Sequence, residues 1–129
     1  MNFKMSELIY SDTAIRHNIN NMPDINSLDC MLDLICDCLQ PLRNKLKKPM
    51  IITSGYRNSE VNKLVGGVKT SQHCKGQACD FIVKGMPINQ VIEFIKNSGI
   101  EFDQCISEYG QWVHISYNKG KNRKQFLKY

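Results

Sequence analysis

Between Asp24 and Leu42 the apolar residues Ile25, Leu28, Leu32, Ile35, Leu39 and Leu42 recur with the period of an α-helix. A stripe of that length has to be buried against a second layer, so the rest of the chain must supply one. Asp24 or Asn26 can cap the helix, and Pro41 is expected to bend or end it. Cys36 falls on the same stripe and reads as a small buried hydrophobe.

The second layer is found in short segments with strand character. "PMIITSGYR" reads as a buried strand running into a glycine turn, and "QACDFIVK" as a strand entered from the loop "GGVKTSQH". "FDQCISEYGQWVHISY" reads as a β-hairpin turning near Tyr109-Gly110-Gln111. Between them Asn58 can cap a short helix carrying Val61, Leu64 and Val65. "GMPINQVIEFIKNSG" has Pro87 near a helix start, Gly99 just past its end, and Ile88, Val91, Ile92 and Ile95 facing inward. Upstream, a short helix is expected around Ser11 to Arg16. The order predicts an α+β fold with a small, mainly antiparallel sheet flanked by helices. At 129 residues the chain forms one domain, with its core over about 25–117 and a basic, solvated tail over 118–129.

The formal net charge is +5, which suits polyanionic surroundings such as cell-wall polymer. The tail holds the densest cluster, Lys119, Lys121, Arg123, Lys124 and Lys128. No five-residue Lys/Arg run exists, so nucleic acid is not the expected partner, and a monomer is expected. "MNFKMSELIY" lacks the long apolar core of a signal peptide, and no apolar run is long enough for a membrane span. The expected place of synthesis is the cytoplasm, where the six cysteines stay reduced. No CxxC pair exists, which excludes a zinc ribbon.

The chemistry concentrates in "TSQHCKGQACDFIV" and "QWVHISY". Gly76 and the polar residues around it argue against a helix, so His73 should lie on a loop that folds back and Asp80 on the strand that follows. Gly76 can take φ > 0, and Ala78 permits close backbone approach. Trp112, His114 and Ser116 face one side of their strand, while Val113, Ile115 and Tyr117 face the other. Two histidines and one carboxylate make three ligands, which leave a zinc ion one open position for water. His17 has no partner at ligand spacing and reads as surface. Cys74 and Cys79 flank the site and read as buried thiols rather than ligands.

"SGYRN" (54–58), "SQHCKGQACDF" (71–81) and "WVHIS" (112–116) resemble, in order and spacing, the peptidase M15 family. Its members are zinc D-Ala-D-Ala carboxypeptidases and murein endopeptidases, and this chain is similar to the short version common in phage and bacterial genomes. The family pattern S-x-H-x-x-G-x-A-x-D followed by W-x-H is met by Ser71, His73, Gly76, Ala78, Asp80, Trp112 and His114. The resemblance implies a hedgehog/D-Ala-D-Ala-peptidase-like fold and Zn²⁺ held by His73, Asp80 and His114. It also implies that Arg57 faces substrate, where a guanidinium suits a carboxylate or peptide carbonyl. Ser71, Gln72, Tyr56 and Trp112 are further substrate-side candidates. Ser71 can instead fix its loop, and Trp112 can instead pack against the ligand histidine.

Zinc peptidases need a general base. Many family members carry Asp or Glu three positions before the last histidine, but Gln111 stands there and cannot ionise. Glu108 is the nearest carboxylate. It shares the face of His114 only if the hairpin loop is odd-numbered, with Glu108 opposite Trp112. The implied function is a zinc peptidase acting on peptidoglycan stem or cross-link peptides next to D-amino acids, reaching the wall through a phage lysis system or virion. The alternative is a cell-wall-binding or virion module on the same fold that has lost turnover.

Overall fold

A computed structural model describes residues 1–129. Its helices are α1 (Met5–Ile9), α2 (Asp12–Arg16), α3 (Ile25–Leu34), α4 (Gln40–Leu46), α5 (Ser59–Leu64) and α6 (Ile88–Ser98). Its strands are β1 (Met50–Ser54), β2 (Ala78–Val83), β3 (Gln104–Glu108), β4 (Trp112–Ser116) and β5 (Gln125–Lys128). The strands form one sheet in the order β1-β2-β4-β3-β5, antiparallel throughout except for the parallel β3–β5 pair. The fold is α+β, as the pattern predicts. No helix is long and apolar enough to cross a membrane.

Alternation along the strands divides the sheet into two faces. Cys79, Phe81, Cys105, Val113 and Ile115 are fully buried on one face, in a core with Met31, Leu34, Leu39 and Leu42 of the long helical segment and Val91 and Ile95 of α6. The other face carries Asp80, Glu108, Trp112 and His114. Asn58 and Ser11 cap α5 and α2 by accepting from the Val61 and Ala14 amides. Gly99 closes α6 in the left-handed region at φ 75°.

Pro41, expected to bend or end the long helix, does not end it. Ile35–Leu39 form a π-helical turn, with Gln40 N–H bonded to the Ile35 carbonyl, and α4 continues to Leu46. Proline lacks an N–H and crowds the carbonyl four residues back; the wider turn relieves both demands. The buried stripe is Met31, Leu34, Ile35, Cys38, Leu39 and Leu42, whereas Ile25 and Leu32 are exposed, contrary to their expected inward position. Cys36 is likewise exposed, because Ile35, Cys38 and Leu39 take the inward places of that turn. Of the apolar residues expected on the inner side of α5 only Val61 is buried, and Leu64 and the C-cap Val65 lie at the surface.

Both ends of the chain are more ordered than their polarity suggests. Phe3 and Leu8 enter the core from the α1 segment. The basic tail is not a frayed terminus: it pairs in register as β5, and Phe126 packs edge-on against Phe102 at 5.0 Å. Its anchor is Asp103, only 1% exposed, which accepts from Arg123 Nε (2.8 Å), Nη2 (2.9 Å) and backbone N (3.0 Å). A buried carboxylate with a bidentate guanidinium is a satisfied charge pair.

Gly76 illustrates how tightly the helical layer meets the sheet-side loops. Its φ is 74°, and a Cβ added there would lie 2.3 Å from the Ser27 carbonyl of α3. Gly76→Ala is therefore expected to cost about 1–2 kcal/mol for the left-handed backbone plus about 1–3 kcal/mol for overlap. Gly85→Ala, at φ 75° with nothing within 4 Å, should cost only the first part. Urea unfolding of the two variants checks the difference.

The Asp103 carboxyl is held below the usual range, chiefly by the Arg123 hydrogen bonds and against the opposing effect of burial. A depressed folded value adds stability that is present above about pH 4, the unfolded value, and is lost as pH falls through the folded one. Asp103→Asn should therefore flatten the acid limb of a stability-versus-pH curve measured by denaturant titration.

Candidate metal centre

Three segments distant in sequence place the donors. Asp80 is the third residue of β2, and β2–β4 register sets it directly opposite His114. His114 Nδ1 lies 3.0 Å from Asp80 Oδ1. His73 enters from a single 3₁₀ turn, Gln72–Lys75, capped by the Ser71 hydroxyl, which accepts from the His73 amide at 3.2 Å. Its Nε2 lies 3.3 Å from the same Asp80 oxygen. The two rings stand edge-on, with centroids 5.0 Å apart.

His73 is oriented by its other nitrogen. Nδ1–H donates to the Gly55 carbonyl at 2.7 Å, so Nε2 is the nitrogen turned to Asp80 and the one available to a metal. The Gly55 carbonyl is brought in by the turn after β1, where the chain passes so close to α1 that a Cβ would lie 2.3 Å from the Leu8 carbonyl. Asn21 braces this turn. It is buried, donates to the Ile9 and Tyr56 carbonyls (2.9 and 3.0 Å) and accepts from the Asn58 amide (2.9 Å).

The donor set fits a divalent cation. One atom from each of His73, Asp80 and His114 lies within 4.8 Å of the other two. Tetrahedral bonds of about 2.0–2.1 Å would set donors about 3.3 Å apart, close to the two carboxylate–imidazole spacings. Two imidazoles and one carboxylate are a zinc-type set with an open fourth position. Burial pushes the Asp80 carboxyl up, but hydrogen bonds from His114 and His73 and their charge outweigh it and hold it well below the usual range. Asp80 is thus ionised and ready to ligate. The thiols are not: burial pushes Cys79 well up and Cys74 up as well, and Cys79 points into the core.

The donors lie at the floor of a cleft of about 750 Å³. Arg57, Ser71, Gln72, Glu108 and Trp112 all line it; Tyr56 does not, because its ring is buried in the core. Arg57 is tied to the ligand turn, its backbone N–H donating to the His73 carbonyl at 3.2 Å and Nη2 to the Ser71 hydroxyl at 3.4 Å. Its buried Nε has no partner. Burial lowers the Arg57 pKa, and the nearby Asp80 carboxylate partly opposes that. Gln72 donates to Asp103 (2.9 Å) and Gln77 (3.3 Å), which braces the turn. Trp112 packs edge-on against Tyr109, centroids 5.9 Å apart, so it both lines the cleft and buttresses the hairpin.

The hairpin loop has three residues. Glu108 pairs with Trp112, which puts Glu108 on the face of His114. Tyr109 and Gly110 both take positive φ (54° and 65°), and Gln111 N–H closes on the Glu108 carbonyl at 2.9 Å. Gln111 itself is exposed and lies outside the cleft. Sequence reasoning did not single out Asp103 or Asn21, nor the contributions of Gln104 and Tyr129 to the cleft wall. Each depends on a long-range contact with no spacing signature.

A model of the family described as Peptidase M15 matches residues 1–116, and the chain belongs to that family. Its peptidases are zinc enzymes, and the His73–Asp80–His114 group can hold a metal. No curated protein matches the chain.

Stoichiometric zinc, measured by atomic absorption, is expected on the wild type and lost in His73→Ala and His114→Ala. Zinc at about 100 times its dissociation constant should stabilise the wild type by about 2.7 kcal/mol and leave those variants unmoved.

Proposed function

We propose that this member of the peptidase M15 family is a zinc-dependent hydrolase of peptidoglycan, cutting stem or cross-link peptides next to D-amino acids. What carries the proposal is the pairing of Glu108 with Trp112, which sets a carboxylate on the same sheet face as three convergent metal donors. His73, Asp80 and His114 would hold the ion. When bound, zinc supplies polarisation of the scissile carbonyl and lowers the pKa of water at its open position to about 7.

The protein's own groups do the rest. Glu108 takes the proton of the attacking water and returns it to the leaving amine, a role worth about 10²–10⁴ in rate. Arg57 orients substrate: its buried, unpartnered Nε can be satisfied by a substrate carbonyl or carboxylate oxygen. Ser71 holds both Arg57 and the His73 amide, so its part is to fix the geometry of the turn. The net charge of +5 draws the protein towards anionic wall polymer, which it would reach through a phage lysis system or virion. Gln111 motivates the reading as an inactive binding module. Because it faces solvent, its inability to ionise does not touch the catalytic face.

Zymography on purified cell walls tests the proposal. Clearing is expected for the wild type, lost with a chelator and restored by zinc. Glu108→Gln should keep full zinc and lose about 10²-fold or more in kcat. Full zinc with no clearing by the wild type would mean a binding module instead.

A further inference from the structure

The family match ends at residue 116, yet the chain beyond it reaches the catalytic face. Cross-strand register places Leu127 beside Ile106, which itself pairs with His114. Two residues further along, Tyr129 adjoins Glu108 and brackets it with two backbone hydrogen bonds. Tyr129 N–H donates to the Ser107 carbonyl at 2.9 Å, and a Tyr129 main-chain oxygen accepts from Tyr109 N–H at 3.0 Å. The peptide units on both sides of Glu108 are therefore held by one residue of the tail.

The tail is in turn latched at its other end. Arg123 grips the buried Asp103 through three hydrogen bonds, and the Lys124 and Gln125 amides donate to the Phe102 and Asp103 carbonyls. Asp103 also accepts from Gln72, the neighbour of the ligand His73. One buried carboxylate thus joins the tail to the metal-ligand turn, while the tail clamps the hairpin that carries Glu108. The hairpin needs such a clamp. Tyr109 sits in the left-handed region, which is unfavourable for a non-glycine residue, and a three-residue loop at the end of two strands is otherwise prone to fray.

We propose that the C-terminal strand, latched by Arg123 on Asp103, is a positioning element that holds Glu108 in register for proton transfer. This rests on Glu108 being the base. Arg123 and Tyr129 are positioning residues, acting through Glu108 rather than on the bond being cut. A displacement of about 1 Å can cost about 10²-fold in rate, so a loosened hairpin should be read chiefly in kcat.

The test uses the full-length, zinc-loaded protein on purified peptidoglycan. Arg123→Ala removes the two guanidinium bonds of the latch, and Tyr129→Pro removes the amide that holds Ser107 together with a ring on the cleft wall, for which Tyr129→Ala, keeping the amide, is the control and should leave kcat within about twofold. Arg123→Ala and Tyr129→Pro should each lower kcat about tenfold or more, with KM changed less than about twofold and zinc stoichiometry intact. In a Glu108→Gln background the same changes should cost less than about twofold further, because the group they position is already gone. Independently of turnover, hydrogen exchange at the Tyr109 amide should quicken about tenfold or more in Arg123→Ala. Unchanged kcat in both variants, equal losses in the two backgrounds, or unchanged exchange would each overturn the proposal. Wild-type kcat in Glu108→Gln alone would instead remove the base assignment on which it rests, and the exchange result would stand apart from that failure.

Discussion

The pairing of Asp80 with His114 across β2 and β4 is the constraint on which the rest of the site depends. It is a matter of register. Side chains alternate sides along a strand, so a slip of one residue would send Asp80 or His114 into the core and Phe81 or Val113 into the cleft. The register is held by the buried residues on the other side of the same strands, Cys79 and Phe81 facing Ile115 and Val113. The placement of these two candidate ligands on one face is therefore enforced by hydrophobic packing on the other, and neither relies on a flexible loop.

The third ligand is the exception, and the structure compensates for it. His73 rides on a short turn, where position is ordinarily less certain than on a strand. Four separate contacts remove that freedom. Its Nδ1 is tied to Gly55, its amide to Ser71, its carbonyl to the Arg57 amide, and Gly76 seats the turn against α3. Gly55 is in turn set by α1 and by Asn21. The N-terminal segment, which contributes no candidate ligand, thereby shapes the candidate metal centre through backbone geometry.

How far the sequence discloses this architecture follows from the range of the interactions involved. Strand alternation placed His114 opposite an aliphatic run, and hairpin sidedness tied Glu108 to an odd loop; both depend on neighbours within a few residues. The seven matched motif positions brought the ligands together. The phase of the long helix was only partly legible. Leu32 and Cys36 fit the period yet lie outside, because the π turn over Ile35–Leu39 and the packing partners decide which side faces in. Helix α1 is too short to show a period. The tail reads as solvated because its composition is polar, whereas its order comes from Asp103, twenty residues before Arg123. Tyr56 sits in a motif that faces the cleft but turns its ring into the core, which residue type alone does not reveal.

The charge balance of the cleft adds a final constraint on its chemistry. Asp80 is the only anionic donor, so a divalent cation there would leave the centre with a net positive charge. Arg57, half-buried beside it, adds a second, and Arg123 is neutralised by Asp103. Glu108 is the remaining carboxylate on the cleft wall. In a partly desolvated site such an excess favours a developing oxyanion and a carboxylate-bearing substrate, and it keeps water acidic. A second carboxylate among the donors would cancel that excess and bring repulsion against Glu108. The two-imidazole, one-carboxylate set and the half-buried guanidinium are thus parts of a single electrostatic arrangement, in which the one unpaired side-chain carboxylate is Glu108, the group proposed to move the proton.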